Sequence, residues 1–157
     1  MKLKEALKDR LTAAELDAAP SSFDVVGDIA IFNRIPESLA KKEKLLAQTV
    51  LETQKHIKVV LKKTGKYSGR LRTPTLRHLA GERRKRTLHK ENGCVFALDV
   101  EACYFSTRTA SERQRICNII KKGESVLIMF SGIAPLPVEI AKHTQAKEVC
   151  GIELNKI

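Results

Sequence analysis

The sequence has no tryptophan, and only 4% of its 157 residues are aromatic. A core built from this composition must be mainly aliphatic, and a hydrophobic share of 43% is enough to form one. No apolar run approaches the roughly 18 residues that a membrane span needs. The four cysteines include no C-x-x-C pair and no histidine neighbour, which argues against a zinc site or a disulfide framework. We therefore expect a reduced, cytoplasmic protein with no metal ion and no membrane partner.

Acidic residues are scarce relative to basic ones. The chain has 18 aspartates and glutamates and 29 lysines and arginines, which gives a net charge of +11. The imbalance is concentrated between Lys62 and Lys90, where Glu82 is the only acid among many lysines and arginines. Such a segment favours a polyanion partner, RNA or DNA, through phosphate contacts. The alternative is a solvated basic surface without a ligand.

Hydrophobic spacing predicts the order of helices and strands. The Gly27-Asp28 pair divides two β-rich runs and predicts a bent strand pair or a hairpin. The remaining predictions are a helix over residues 3–19, a long helix from Pro36 to about Thr64, short extended pieces over 62–90, a strand over 95–100, and a helix over 111–121 with Ser111 as its N-cap.

The stretch from Val126 to Asn155 reads as strand, turn, helix and strand, with Gly132 in the turn. Glu153 ends the second strand, 21 residues after Gly132. A glycine turn with an acidic residue about 20 positions later is typical of nucleoside cofactor sites, where the carboxylate binds ribose hydroxyls. The alternative is an ordinary βαβ unit with a tight turn.

Four groups of motifs occur in a fixed order along the chain. They are SFDVVGDIAI (22–31); LRT (71–73) with AGE (80–82) and TLHKENG (87–93); LDV (98–100) with YFSTR (104–108) and ER (112–113); and MFSGIAP (129–135) with GIELN (151–155). This series resembles the archaeal and eukaryotic tRNA (guanine(37)-N1)-methyltransferases over nearly the whole chain. Those enzymes use S-adenosylmethionine to methylate the guanosine 3′ of the anticodon.

The resemblance implies a fold class and two domains. Residues 1–105 are expected to form a β-rich, basic α+β domain that faces the tRNA and contains one long helix. Residues 106–157 are expected to form the first βαβ portion of a Rossmann-like α/β domain that binds S-adenosylmethionine.

The resemblance also implies three catalytic residues. Arg72 would bind O6 of the target guanine, Tyr104 would position the base, and Glu112 would accept the N1 proton. A guanidinium at O6 would stabilise the negative charge that develops there. The alternatives are a phosphate contact for Arg72, a buried core position for Tyr104, and a helix-dipole partner for Glu112.

The cofactor residues implied by the resemblance lie at and near the turn. Arg113 would bind the methionine carboxylate, and Glu153 with Leu154 would hold the ribose. The turn itself would be lined by Phe130, Gly132 and Ala134. Two positions depart from the family pattern: Ile128 stands where many members have an acid, and Ala134 where many have glycine.

The catalytic sheet is expected to need more strands than Val126–Asn155 supplies, because a parallel sheet must cover its apolar faces. We therefore expect this chain alone to be a weak or inactive enzyme. The alternatives are a non-catalytic RNA-binding remnant, or one half of a split enzyme completed by a second polypeptide or by self-association through the open sheet. A generic basic structural protein is a further alternative.

Overall fold

The computed structural model describes residues 3–65, 69–71 and 73–156. No helix in these ranges is both long and apolar enough to cross a membrane. The helices are α1 (Leu3–Leu7), α2 (Ala13–Ala18), α3 (Glu43–Thr53), α4 (Ala110–Ile119) and α5 (Pro135–His143), with 3₁₀ segments at Glu37–Lys42 and Thr107–Thr109. The strands are β1 (Asp24–Val26), β2 (Ile29–Phe32), β3 (Val59–Lys63), β4 (Leu76–Gly81), β5 (Arg86–Glu91), β6 (Cys94–Asp99), β7 (Ser125–Met129) and β8 (Glu148–Ile152).

The N-terminal segment forms two short helices, so the prediction of a single helix over residues 3–19 is wrong. Thr12 starts α2 with a capping box: its hydroxyl accepts from the Glu15 amide at 3.4 Å, and the Glu15 carboxylate accepts from the Thr12 amide at 2.9 Å. The extended backbone that Thr12 needs for this cap ends the preceding turn. Leu3 and Leu7, one turn apart on α1, are both buried.

A four-stranded sheet has the order β1-β2-β3-β4. Strands β1 and β2 form the predicted hairpin, which is confirmed, and β2 runs parallel to β3 with α3 as the crossover. The predicted long helix is wrong, because α3 ends at Thr53 and Leu61 lies in β3. The β-branched run Val59-Val60 is fully buried in a central strand, and packing on both faces outweighs the helical spacing that the sequence showed.

Two apolar cores cover the two faces of this sheet. Helices α1 and α3 pack on one face around Phe32 and Leu46. On the other face, Ile29 and Leu61 pack against the β5–β6 hairpin through Phe96 and its neighbours. The second core also reaches Phe105 and Ile133, so the hairpin connects the sheet to the segment that follows it.

The last part of the chain is a βαβ unit in which β7 runs parallel to β8. The predicted strand over Ser125–Met129 is confirmed. The predicted Ser111 N-cap is wrong, because α4 begins at Ala110 directly after a 3₁₀ turn and has Thr109 at its N-cap position. Leu127, Met129 and Ile152 share one exposed sheet face, because alternate residues of a strand point to the same side.

Candidate active site

The turn after β7 is built from alternating left-handed residues. Phe130, Gly132 and Ala134 have φ values of 57°, 57° and 61°. The Ser131 amide donates to the Ile152 carbonyl at 3.0 Å, and the Gly132 amide donates to Glu153 Oε2 at 2.7 Å. The turn is therefore held against the end of β8. This is the carboxyl end of parallel strands, where α/β folds bind their ligands.

Glu153 accepts three backbone hydrogen bonds. Besides the Gly132 amide, Oε1 accepts from the amides of Leu154 at 2.9 Å and Asn155 at 2.8 Å. The bond from the Asn155 amide, followed by that from Gly132, lowers the pKa of the carboxyl. Glu153 is therefore a charged, exposed carboxylate fixed at the mouth of the turn.

Tyr104 lies beside this turn through its backbone. Its carbonyl oxygen is 3.5 Å from the position that a Cβ on Gly132 would occupy, and Asn155 Nδ2 donates to the nearby Ala102 carbonyl at 2.8 Å. The residue is 55% exposed, so the alternative of a buried core tyrosine is wrong. Tyr104 lines a cleft of about 380 Å³ together with Asp24, Lys63 and other residues of the sheet.

Glu112 lies in the first turn of α4, and its side chain is 53% exposed. Arg115, one turn later, donates to it from Nε at 2.8 Å and from a terminal nitrogen at 2.7 Å. These hydrogen bonds lower the pKa of Glu112. Glu112 is therefore an ionised carboxylate near neutral pH. Its place in the first turn of α4 also fits the alternative of a helix-dipole partner, so its predicted role as proton acceptor stays a prediction.

Arg113 is buried, unlike its neighbour Glu112. Its Nε donates to Glu91 at 2.7 Å, and its terminal nitrogens donate to Glu91, to Thr109 Oγ1 at 2.6 Å and to the Ser106 carbonyl at 3.2 Å. The predicted contact with a cofactor carboxylate stays a prediction. In this structure each of the three guanidinium nitrogens already donates to a protein oxygen.

Arg72 lies outside the described residues, so its predicted role is not tested. Leu71, immediately before it, is 43% exposed. Thr73 follows in an isolated bridge at the start of the segment that leads into β4. The other eight predicted site residues divide into three places: the turn with Glu153 and Leu154, the neighbouring Tyr104, and α4 with Glu112 and Arg113.

The basic segment is partly neutralised by acids from elsewhere in the chain. Lys62 and Arg77 pair with Glu43, Arg84 pairs with Asp28 at 2.5 Å, and Lys85 pairs with Glu101. The sequence count missed these acids because they lie outside the segment. Exposed basic residues remain at Arg70, Arg83, Arg86 and Lys90. The cationic surface is therefore smaller than the count of basic residues predicted.

Two family models match the chain. Residues 87–157 match the TRM5/TYW2 methyltransferase domain, and residues 3–84, more than half of the chain, match the TYW2 N-terminal domain. This chain belongs to the TRM5/TYW2 methyltransferase family. The resemblance predicted from its motifs is confirmed. The models meet between residues 84 and 87, whereas the predicted domain boundary at 105/106 stays a prediction.

Relatives within the family support the same assignment. The chain is 41% identical over 133 residues to the tRNA (guanine(37)-N(1))-methyltransferase Trm5b of Pyrococcus abyssi, covering 85% of this chain and 40% of that protein. It is 39% identical over 134 residues to the tRNA (guanine(37)-N(1))/4-demethylwyosine(37)-methyltransferase Taw22 of Nanoarchaeum equitans, covering 85% and 43%. The chain thus spans about two fifths of the length of these relatives.

A solved complex of aTrm5 with tRNALeu has the same fold, with a TM-score of 0.86 and 29% identity over 99% of this chain and 46% of that one. The predicted fold class, an α+β domain followed by the start of a Rossmann-like α/β domain, is confirmed.

The sequence reasoning missed three polar residues beside the site. Glu91, Asn92 and Glu139 contact Arg113 or one another in the interior. Glu91 and Asn92 belong to the HKENG motif, which carried the resemblance but received no role. Nothing in the sequence marked Glu139 as part of the site, because a single acidic residue on a short helix is common.

Proposed function

We propose that this protein takes part in methyl transfer from S-adenosylmethionine to N1 of the tRNA guanosine 3′ of the anticodon. The proposal is carried by the family match combined with the hydrogen bond from the Gly132 amide to the Glu153 carboxylate. The match names the class of enzyme, and the hydrogen bond holds an acid at the glycine turn. We place the activity in the cytoplasm.

The residues at the turn fit the nucleoside half of the cofactor. Glu153 offers a charged acceptor for ribose hydroxyls. A Cβ added at Gly132 would come into van der Waals contact with the Tyr104 carbonyl oxygen 3.5 Å away, so glycine keeps this side of the turn open. Phe130 is 85% exposed and Leu154 52% exposed, which leaves apolar surface for a base. Ala134 completes the turn as the left-handed residue before α5. When bound, S-adenosylmethionine supplies an electrophilic methyl group.

Three side chains would act on the guanine. Glu112 would accept the N1 proton, because its carboxylate is half exposed in the first turn of α4 and ionised near neutral pH. Arg72 would stabilise the negative charge on O6 once that proton leaves. Tyr104 would hold the base, since the residue is exposed and lines a cleft beside the four-stranded sheet.

The exposed cations of the basic segment support tRNA as the polyanion. Arg86 and Lys90 lie on the outer face of β5, with Leu88 between them. Cations spaced along a strand can follow a phosphate backbone, and their contribution falls as salt rises. The aTrm5 complex with tRNALeu supports this choice over DNA.

A second polypeptide or a second copy of the chain could cover the exposed face of the β7–β8 sheet. Leu127, Met129 and Ile152 are each more than half exposed there. We keep this as a subordinate proposal, tested by whether methyl transfer depends on protein concentration.

A second substrate is favoured by one observation. The Taw22 relative is named for methylation of both guanine and 4-demethylwyosine at the same tRNA position. The catalytic residues proposed here would serve either substrate only if the cleft beside Tyr104 admits the larger base.

The test is transfer of a labelled methyl group from S-adenosylmethionine to tRNA transcripts. One transcript carries G 3′ of the anticodon, a second carries A there, and a third tRNA carries 4-demethylwyosine. Labelling of the G transcript without labelling of the A transcript supports methylation of guanine N1. Labelling of the tRNA that carries 4-demethylwyosine supports the second substrate as well. Where the natural chain labels the G transcript, Glu112→Gln should abolish the transfer, whereas Glu37→Gln, which changes an exposed acid on a 3₁₀ segment, should not.

Equal labelling of the A transcript would refute N1 of guanine as the target. No labelling, with tRNA still retained on a filter at moderate salt, would leave RNA binding without catalysis.

A further inference from the structure

A buried ionic cluster lies where the β5–β6 hairpin meets α4 and α5. Arg113 Nε is 2.7 Å from Glu91 and 3.3 Å from Glu139. The three residues are 7%, 9% and 0% exposed. Each comes from a different element: Glu91 from β5, Arg113 from α4 and Glu139 from α5.

One guanidinium faces two buried carboxylates in this cluster. Burial raises the pKa of Glu139, and a hydrogen bond from Asn92 Nδ2 at 2.8 Å opposes the rise. His89 also lies within 3.4 Å of Glu91, and the ring of Phe105 lies 5.5 Å from the guanidinium carbon. Removing the arginine would leave carboxylates in the interior without their main cation, which is far costlier than losing an exposed ion pair.

The hairpin turn itself is bonded to both helices. Asn92 Nδ2 donates to the Ala110 carbonyl of α4 at 3.2 Å. From the end of α5, His143 Nε2 donates to the Asn92 carbonyl at 2.6 Å, and Lys142 donates to the Gly93 carbonyl. The Glu91-Asn92-Gly93 motif thus supplies a set of acceptors and donors that fixes two helices at once.

Both helices lead directly to the candidate site. Glu112 is the residue before Arg113 on α4, and α5 begins immediately after the Gly132–Ala134 turn. We propose that Arg113 is a positioning residue, whose guanidinium clamps the hairpin turn, α4 and α5 together and thereby fixes Glu112 relative to the Gly132 turn. It does this instead of binding the cofactor carboxylate. The positioning of Glu112 rests on the proposed function, whereas the clamp itself does not.

The clamp is tested by thermal melting of the ligand-free chain, which needs no activity. Arg113→Met should lower the melting temperature by about 10 °C, because it leaves two buried carboxylates unpaired. Arg115→Met is the matched control, since Arg115 lies two positions along the same helix and is exposed. It should change the melting temperature by no more than about 2 °C.

A triple variant keeps the test decisive even if Arg113→Met does not fold. Adding Glu91→Gln and Glu139→Gln removes the charges that the arginine compensates, so the triple variant should recover at least half of the loss. A melting temperature for Arg113→Met equal to that of Arg115→Met would overturn the clamp. A triple variant no better than Arg113→Met would overturn it as well.

Binding measurements then separate positioning from ligand contact. Affinities for S-adenosylmethionine and for 5′-methylthioadenosine, which lacks the amino-acid arm, are compared between the natural chain and Arg113→Lys. A positioning residue changes both affinities by the same factor. A carboxylate ligand weakens S-adenosylmethionine alone, by about tenfold or more, and that result would overturn the proposal. If the natural chain binds neither compound, the proposed function fails, and the melting data still decide the clamp.

Discussion

The turn between β1 and β2 approaches β5 so closely that only glycine fits. Gly27 has a φ of 58°, and its amide donates to His89 Nδ1 at 3.0 Å. A Cβ at this position would lie 2.5 Å from the Leu88 carbonyl oxygen and closer still to Thr87 Oγ1. Real Cβ atoms do not come this near to backbone, so Gly27→Ala must push the turn and the hairpin apart.

Two terms contribute to the loss expected for Gly27→Ala. Holding alanine in the left-handed region costs about 1 kcal/mol. Relieving the overlap with Leu88 and Thr87 costs about 2 kcal/mol more, as for an overpacked core. The total of about 3 kcal/mol corresponds to a fall in melting temperature of about 6–12 °C for a chain of this size.

Two other glycines separate these terms in the same assay. Gly123 has a φ of 83° with no heavy atom within 4 Å of an added Cβ, so Gly123→Ala should show the backbone term alone. Gly65 has no positive φ, and among the described residues no atom lies within 4 Å of an added Cβ, so Gly65→Ala should be nearly neutral. Circular dichroism melts of the three variants give the comparison. If Gly27→Ala melts no lower than Gly123→Ala, the close approach between turn and hairpin is not what constrains this position.

Two further predictions concern the candidate site, and a third concerns the basic surface on β5. Arg115→Ala should raise the pKa of Glu112, because the hydrogen bonds from Arg115 now lower it; a carboxyl-carbon NMR titration measures the shift, and an unchanged pKa would exclude Arg115 as the cause. Glu153→Gln should lower the melting temperature at pH 7, and the deficit should shrink as pH falls below the ordinary value of 4.5. A carboxyl with a lowered pKa stabilises the fold above that value and loses its effect when protonated, so a deficit that grows in acid would contradict the bonding to Gly132. Changing both Arg86 and Lys90 to glutamine should weaken tRNA retention and reduce the salt slope by about 2, whereas Lys121→Gln on the α4–β7 connection should leave both unchanged.

Local patterns predicted the parts of the fold that local chemistry decides. The Gly27-Asp28 turn specified a hairpin, because its residues suit the left-handed backbone between two β-rich runs. The strand before Gly132 and the helix after it were equally clear. Pro135 opens that helix, since proline at a helix start needs no amide partner. The strand and the helix flank the candidate cofactor turn.

The errors arose where distant residues decide the outcome. Leu61 continued the apolar spacing of α3, but pairing with β2 placed it in a strand. Nothing near Arg113 in the sequence shows that Glu91 and Glu139, 22 and 26 residues away, enclose it. Asp28 lies 56 residues from Arg84, so a local count of charges could not include that ion pair.

The boundary between the two family models falls between residues 84 and 87, but the second hydrophobic core crosses it. Phe96 and Leu98 belong to the matched region 87–157. Their buried side chains share a core with Ile29 and Leu61 of the matched region 3–84. A chain cut at this boundary would expose the inner face of the hairpin on one fragment and half of the sheet on the other. The two matched regions should therefore unfold as one cooperative unit. This core joins Ile29 to Phe96, which lie 67 residues apart in the sequence, and contacts over such a separation slow folding.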